Sequence, residues 1–179
     1  MNADFQEPPQ WAGQLDLAAR LSAVPSGRTV KGFVFNAAAG RLRLGTSYAG
    51  FRDYPLEDFL RLLDDGANGD PLRLEAAGRA VGPSLKKSMV GRVLLALAGD
   101  SVDGLLDLAQ RLYRVGVSFG DLEVERVGPR EAIVRLRDVW AFHPYLFGSL
   151  ASALETVEPA ARIAYRKVSM TGFDIRVIW

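Results

Sequence analysis

The chain has 179 residues, no cysteine and a single histidine. Its length suits one domain, which we expect at residues 13–179 after a flexible N-terminal tail at residues 1–12. Without cysteine there can be no disulfide, thiolate nucleophile or iron–sulfur cluster, and one histidine excludes multi-histidine metal sites. Lys and Arg number 22 against 21 Asp and Glu, so the net charge does not favour nucleic acid or an anionic membrane as a partner.

The N-terminal segment lacks the basic and apolar regions of a secretory signal peptide. The longest apolar-rich stretch, Met89 to Ala98, is interrupted by Arg92 and is too short to cross a bilayer. We therefore expect a cytoplasmic protein with no membrane span.

Helical patterns fill the first two thirds of the chain. A short segment at residues 15–21 ends at a Pro-Ser-Gly turn, and a helical apolar pattern starts at Val30. Asp53 as N-cap and Pro55 in the first turn predict the start of the next helix. Its apolar face is formed by residues at helical spacing, namely Leu56, Phe59, Leu60 and Leu63.

Three more helices are predicted before the pattern changes. The first covers residues 71–80 and ends at Gly82-Pro83, and Ser84 can cap the second, which runs to about Ala98. The third, at residues 101–115, carries one continuous apolar stripe that includes Tyr113.

After Gly116 the apolar residues alternate, which predicts strands. Two strands, one helix from His143 to Pro159 and two further strands follow in β-β-α-β-β order. We therefore predict an α+β fold in which N-terminal helices pack on a C-terminal four-stranded antiparallel sheet. The helices at 101–115 and 145–157 should cover the sheet. Its inward face should carry Val124, Val134, Ile163 or Tyr165, Phe173, Ile175 and Val177.

His143 is the first residue to weigh for chemistry, because imidazole titrates near neutral pH. It can act as a general base or ligand, or simply as a capping residue before a helix, and the second interpretation is favoured. The nucleophile elbow Gly-x-Ser-x-Gly is absent. The segment at residues 78–88 also fails as a phosphate loop, since Lys86 stands where a P-loop needs glycine.

Charged residues on the predicted strands form the nearest approach to a basic patch. Glu123, Glu125 and Asp174 share the region, so cross-strand ion pairs account for the arginines, and no nucleic-acid partner is expected. The acidic pair Asp64-Asp65 lacks calcium-loop spacing and indicates a solvated surface, so no metal or cofactor is predicted.

Aromatic residues cluster in three places, around residues 33–35, 51–59 and 140–147. Such density is typical of a core, but it also suits an apolar ligand cavity or a self-association surface. The residues predicted to line a ligand site or an interface are Phe33, Phe35, Phe59, Trp140, Phe142 and Tyr145.

Two blocks, at residues 17–36 and 51–60, resemble an uncharacterised paralogous family that is expanded in myxobacteria. The resemblance extends through Ser88-Met-Val-Gly-Arg92, Tyr113, Gly148 and the C-terminal Trp179. That family implies no activity for the chain.

More remotely, the second half resembles the superfamily of TRAPP trafficking subunits, 4-vinyl reductase domains and heme-nitric-oxide-binding domains. The resemblance implies a fold that binds an apolar ligand, a heme or a partner protein. The chain lacks the cysteines of the first two groups. It also lacks a histidine on the helix at 101–115 and the Tyr-x-Ser-x-Arg motif of the heme-binding group, so heme is disfavoured.

Three hypotheses follow, of which the third and weakest is an anion or nucleic-acid binder that uses the strand arginines. The first is a non-enzymatic cytoplasmic binding or scaffold module for a small apolar ligand or a protein partner, including a homodimer. The alternative is a hydrolase or transferase in which His143 lies in a cleft, hydrogen-bonded to a remote carboxylate and a hydroxyl.

Overall fold

Helices and a C-terminal sheet make up the computed structural model, which describes residues 5–7, 9–11, 15–87 and 89–179. The helices are α1 (Leu17–Ala23), α2 (Gly32–Leu42), α3 (Leu56–Ala67), α4 (Pro71–Arg79), α5 (Val81–Lys87), α6 (Met89–Ala98), α7 (Val102–Asp107), α8 (Ala109–Gly116) and α9 (His143–Val157). The strands are β1 (Thr29–Lys31), β2 (Asp53–Pro55), β3 (Asp121–Gly128), β4 (Glu131–Arg137), β5 (Arg162–Ser169) and β6 (Gly172–Ile178). The prediction of a mixed α+β fold with a C-terminal four-stranded antiparallel sheet is confirmed.

The four C-terminal strands are arranged in the order β3-β4-β6-β5. Val134 pairs with Val124 on one side and with Ile175 on the other, and Ile175 pairs with Tyr165. Val134, Ile175 and Tyr165 are buried, and Val124 is half-buried. Since alternate residues of a strand point to the same face, the predicted inward face is the one that packs on the helices.

Helix α9 lies over this face. The His143 ring is 4.7 Å from the Phe173 ring, and the Phe147 ring is 6.4 Å from the Tyr165 ring. On its other side α9 crosses α4 so closely that there is no room for a side chain at Gly148. A Cβ atom there would lie 2.1 Å from a backbone oxygen of α4.

The small sheet formed by β1 and β2 differs from the prediction for this region. The helix expected from Val30 begins instead at Gly32, where a Cβ atom would lie 2.2 Å from the Ala49 carbonyl oxygen. Asp53 does not cap α3, because its carboxylate lies 2.7 Å from the Lys31 ammonium across the two strands. The ion pair of Asp53 with the distant Lys31 therefore overrides the local preference of Asp53 for a helix N-cap.

Two helix boundaries also differ from the prediction. The Gly82-Pro83 pair lies within α5, and the Ser84 hydroxyl donates to the Ala80 carbonyl oxygen rather than capping a helix. A proline is tolerated there because the first turn of a helix needs no N–H donors. The helix expected at 101–115 is divided at Leu108, whose φ of -99° and ψ of -1° depart from the values of a regular α-helix.

The N-terminal segment is packed where it is described. Gln6 exchanges backbone hydrogen bonds of 2.8 and 2.9 Å with Tyr165 on the edge strand β5. Trp11 is buried, and its ring lies 4.9 Å from the Tyr165 ring. The expected flexible tail at residues 1–12 thus includes described residues that contact the sheet, while residues 1–4, 8 and 12 lie outside the described residues.

Candidate functional site

An apolar cavity of about 150 Å³ lies between the helices and the sheet. Side chains of α2 and α3 form one wall, α7 to α9 form a second, and β3 and β4 contribute the third. The apolar lining includes Phe33, Val34, Phe59, Leu105, Leu106, Leu112, Leu122, Leu136, Leu146 and Leu150. The amphipathic helices predicted to cover the sheet therefore do so around a remaining space rather than a fully filled core.

Two phenol hydroxyls belong to this apolar cavity. Tyr113 on α8 and Tyr145 on α9 both line it, and both hydroxyl groups are buried without a hydrogen-bond partner in the described part of the chain. Burial raises the pKa of both phenols above the ordinary value, and the Ser149 hydroxyl opposes this in part at Tyr145, so both remain neutral donors. The Ser149 hydroxyl has the Tyr145 carbonyl oxygen, not the phenol, as its acceptor. An unpartnered buried hydroxyl costs about 1–3 kcal/mol.

The cavity reaches the surface beside α5 and the end of α9. Lys86 and Thr156 contribute to its lining, and both are exposed. None of the described acidic residues lies within ion-pair distance of Lys86. The interior is thus apolar and the rim carries one ammonium group.

The structure places three of the six predicted site residues at the cavity, namely Phe33, Phe59 and Tyr145. Phe35 is fully buried behind them, with its ring 4.8 Å from Phe59 and 4.5 Å from Tyr48. Phe35 thus supports the cavity wall without lining it.

Trp140 and Phe142 lie elsewhere, around a buried arginine. Arg20 of α1 donates from Nη1 to the Trp140 carbonyl oxygen at 2.7 Å, and its guanidinium lies 5.1 Å from the centre of the Phe142 ring. Burial lowers the pKa of Arg20 from its ordinary value to about 10. These two aromatic residues therefore join α1 to the segment before α9 and are not part of the cavity.

Tyr113 is the site residue that the sequence did not single out. Its place on the apolar stripe of the predicted 101–115 helix indicated a core position. The available signal was the phenol oxygen of a tyrosine on the apolar face of a helix. A buried tyrosine usually has a hydrogen-bond partner, so such a residue is a candidate for contact with a ligand.

His143 is fully buried and lies outside the cavity lining. Its Nδ1 atom is 2.7 Å from the Tyr165 hydroxyl. Burial, followed by the positive charge of Arg20, lowers the pKa of His143 from 6.5 to about 3. No carboxylate is hydrogen-bonded to it among the described residues, so the arrangement required by the hydrolase hypothesis is not present there.

Arg137, Arg166 and Arg176 of the sheet are paired with acids. Arg137 and Arg166 both contact the buried Asp174, at 2.7 and 2.6 Å, and Arg176 lies 2.6 Å from Glu131. The prediction of cross-strand ion pairs is confirmed. No group of three acidic or histidine side chains that could hold a metal ion occurs in the described ranges. Within the same ranges, no helix combines the length and apolarity needed to cross a membrane.

The sequence matches the family model DUF2378, a protein of unknown function, over residues 24–179, and the chain belongs to that family. No curated protein matches it significantly.

Solved structures of H-NOX proteins share the fold. The Fe(II) unliganded H-NOX protein from K. algicida has a TM-score of 0.53 at 12% identity, over 83% of this chain and 95% of that one. The H-NOX protein from S. oneidensis in the Fe(II)NO ligation state has a TM-score of 0.57 at 10% identity, over 82% and 97%. A structure described as "Modulating Heme Redox Potential Through Protein-Induced Porphyrin Distortion" reaches 0.63 at 9% identity, over 83% and 99%.

These identities establish a common fold and nothing further. The likeness agrees with the heme-nitric-oxide-binding branch of the predicted superfamily. The resemblance to TRAPP and 4-vinyl reductase domains stays a prediction, as does a myxobacterial origin.

Proposed function

We propose that the protein is a non-enzymatic binding module that holds a small, mostly apolar ligand in the cavity between its helices and its sheet. The observation that carries this proposal is an apolar space of about 150 Å³ with two buried, unpartnered phenol hydroxyls in its lining. Native cores are packed closely and leave few cavities larger than a water molecule, so a cavity of this volume is consistent with a ligand site. A cytoplasmic location remains our expectation.

The size of the cavity sets the size of the ligand. An engineered apolar cavity of about 150 Å³ binds benzene or xenon, whereas sites for drug-sized ligands and cofactors measure roughly 300–1,000 Å³. A ligand with a single six-membered ring, or an aliphatic compound of similar bulk, therefore suits this cavity.

The fold also calls for a comparison with heme, and the residues do not fit a histidine-ligated heme. The only histidine in the sequence is buried outside the cavity, with Nδ1 held by the Tyr165 hydroxyl. The cavity volume of about 150 Å³ is half the lower end of the range for cofactor sites. We therefore favour a small organic ligand over heme.

Titration with toluene, followed by NMR spectroscopy, tests the proposal. Saturable shifts are expected for cavity residues such as Phe59 and Leu106. Ala109→Phe places an aromatic ring in the cavity and should abolish binding, because Ala109 is 7% exposed and lines the cavity. Ala160→Phe, at an exposed position after α9, is the matched control and should bind normally. Failure of the wild-type protein to bind, or equal binding by both variants, contradicts the proposal.

Self-association is a second candidate function, supported by the outer face of α6. Met89, Val93 and Leu97 are spaced four residues apart and are 71%, 57% and 68% exposed. Such a stripe on one helix face is typical of a contact with another protein, here a second copy. Sedimentation should show a dimer that Val93→Glu dissociates, whereas Leu72→Glu, at an equally exposed leucine of α4, should not. A monomeric wild-type protein would rule out the dimer.

A further inference from the structure

We propose that the ligand carries a neutral hydrogen-bond acceptor, as in a small cyclic ketone, and that the hydroxyls of Tyr113 and Tyr145 donate to its oxygen atom. This inference rests on the proposed function, because it assigns the polarity of the ligand held in the same cavity.

Both tyrosine rings are held in place. The Tyr145 ring makes an edge contact of 5.4 Å with Phe59, and the Tyr113 ring makes one of 6.4 Å with Phe119. A Cβ atom at position 120 would lie 2.9 Å from the Tyr113 hydroxyl, so Gly120 leaves room for that group. These contacts hold both hydroxyls in the buried lining of the cavity.

Both hydroxyls belong to the lining of the same cavity, one from α8 and one from α9. Burial is the largest cause of the raised pKa of each phenol. Both phenols keep their protons over the physiological pH range, so each has one O–H bond to donate. The Ser149 hydroxyl, which also lines the cavity, donates to the Tyr145 carbonyl oxygen at 3.0 Å.

Because the two phenol hydroxyls are donors that lack acceptors, they favour a ligand that carries an acceptor. A ketone oxygen has two lone pairs and accepts from both hydroxyls, whereas a hydrocarbon leaves both unpaired. A carboxylate would have to leave water for an interior whose nearest ammonium group, that of Lys86, lies at the exposed rim. A neutral carbonyl compound therefore fits the interior better than an acid of the same size.

Cyclohexanone and methylenecyclohexane form a matched pair for the test, since they differ only in an oxygen atom against a CH₂ group. Calorimetric titration of the wild-type protein should give a Kd at least about tenfold lower for the ketone. Tyr113→Phe and Tyr145→Phe should each weaken ketone binding by roughly fivefold and leave alkene binding within about twofold. Tyr48→Phe removes a phenol hydroxyl outside the cavity lining and should change neither Kd.

The infrared carbonyl stretch of bound, ¹³C-labelled cyclohexanone gives a readout from the wild-type protein alone. Hydrogen bonds from two phenols should lower its frequency relative to the ketone in hexane, and each Phe variant should move it back. If the alkene binds as tightly as the ketone, or the stretch matches that in hexane, this inference is wrong while the binding function stands. If neither compound binds, both proposals fail.

Discussion

The buried His143 should make the protein lose stability in mildly acidic solution. Its pKa falls from 6.5 to about 3 in the folded chain, because burial penalises the charged imidazolium and Arg20 adds repulsion. Below pH 6.5 the unfolded chain therefore binds a proton that the folded chain does not bind until about pH 3. The contribution of neutral His143 to the free energy of unfolding is fully present above the unfolded-state pKa. It decreases as the pH falls toward the folded-state pKa.

The size of this effect follows from linkage. Between pH 7 and pH 5, His143 should remove ~2 kcal/mol from the free energy of unfolding. His143→Asn places an amide near the position of Nδ1, where it can still pair with the Tyr165 hydroxyl, and it cannot titrate. The variant should therefore lose ~2 kcal/mol less than the wild-type protein over this pH interval, whatever its stability at pH 7.

Urea unfolding at pH 7, 6 and 5, monitored by the fluorescence of the three tryptophans, measures the difference. Acidic groups affect both proteins equally and cancel in the comparison. Tyr165→Phe is the control, because it removes the hydroxyl partner and leaves His143 able to titrate, so its pH dependence should resemble that of the wild type. Parallel curves for wild type and His143→Asn would show that the imidazole titrates normally, and the buried assignment would be refuted.

Substitutions at four further positions test the packing, each by the same urea assay at pH 7. Gly148→Ala should lower the free energy of unfolding by about 2 kcal/mol, because the new Cβ atom would lie 2.1 Å from the Glu75 carbonyl oxygen. Gly40→Ala meets nothing within 4 Å in a helix and should raise it by roughly 0.5–1 kcal/mol. Asp174→Asn should lower it by about 2 kcal/mol, since two partly exposed arginines lose a buried carboxylate partner. Arg20→Ala should lower it by about 3 kcal/mol through lost packing and an unsatisfied backbone carbonyl, and Arg20→Lys by less.

The sheet was predictable from the sequence because its signal is local. Phe173, Ile175 and Val177 alternate with polar residues, and all three are buried on one face. The period of two both identifies a strand and selects its inward side. The neighbouring charges, such as Arg176 beside Glu131, follow from the same alternation.

The N-terminal half was harder to predict, because contacts between distant residues decide its local structure. Asp53 has the residue type of an N-cap, but Lys31, 22 positions earlier, pairs with it across two short strands. The composition of the N-terminal segment predicts a flexible tail, yet Trp11 donates from its indole nitrogen to Glu75 at 3.1 Å. No window of the sequence contains both partners of such a pair.

The candidate site was predictable only in part for the same reason. The clusters of aromatic residues predicted Phe33, Phe59 and Tyr145, which the fold brings to one cavity. The same clusters also predicted Phe35, Trp140 and Phe142, which are buried elsewhere. Whether an aromatic residue fills a core or lines a space depends on the helix opposite, which periodicity does not specify. Tyr113 in particular lines the cavity together with residues of α9, which lie far from it in the sequence.

The positions of the His143 imidazole and of the Tyr113 and Tyr145 phenols also argue against a histidine-ligated heme in this cavity. The imidazole packs 4.7 Å from Phe173 and accepts or donates a bond to Tyr165 on the sheet side of α9. To reach a group in the cavity it would have to leave a fully buried site and break that bond. The phenols, by contrast, are already in the cavity and lack partners. The cavity therefore offers hydrogen-bond donors and no imidazole, which is the basis of the proposal that its ligand is a neutral acceptor.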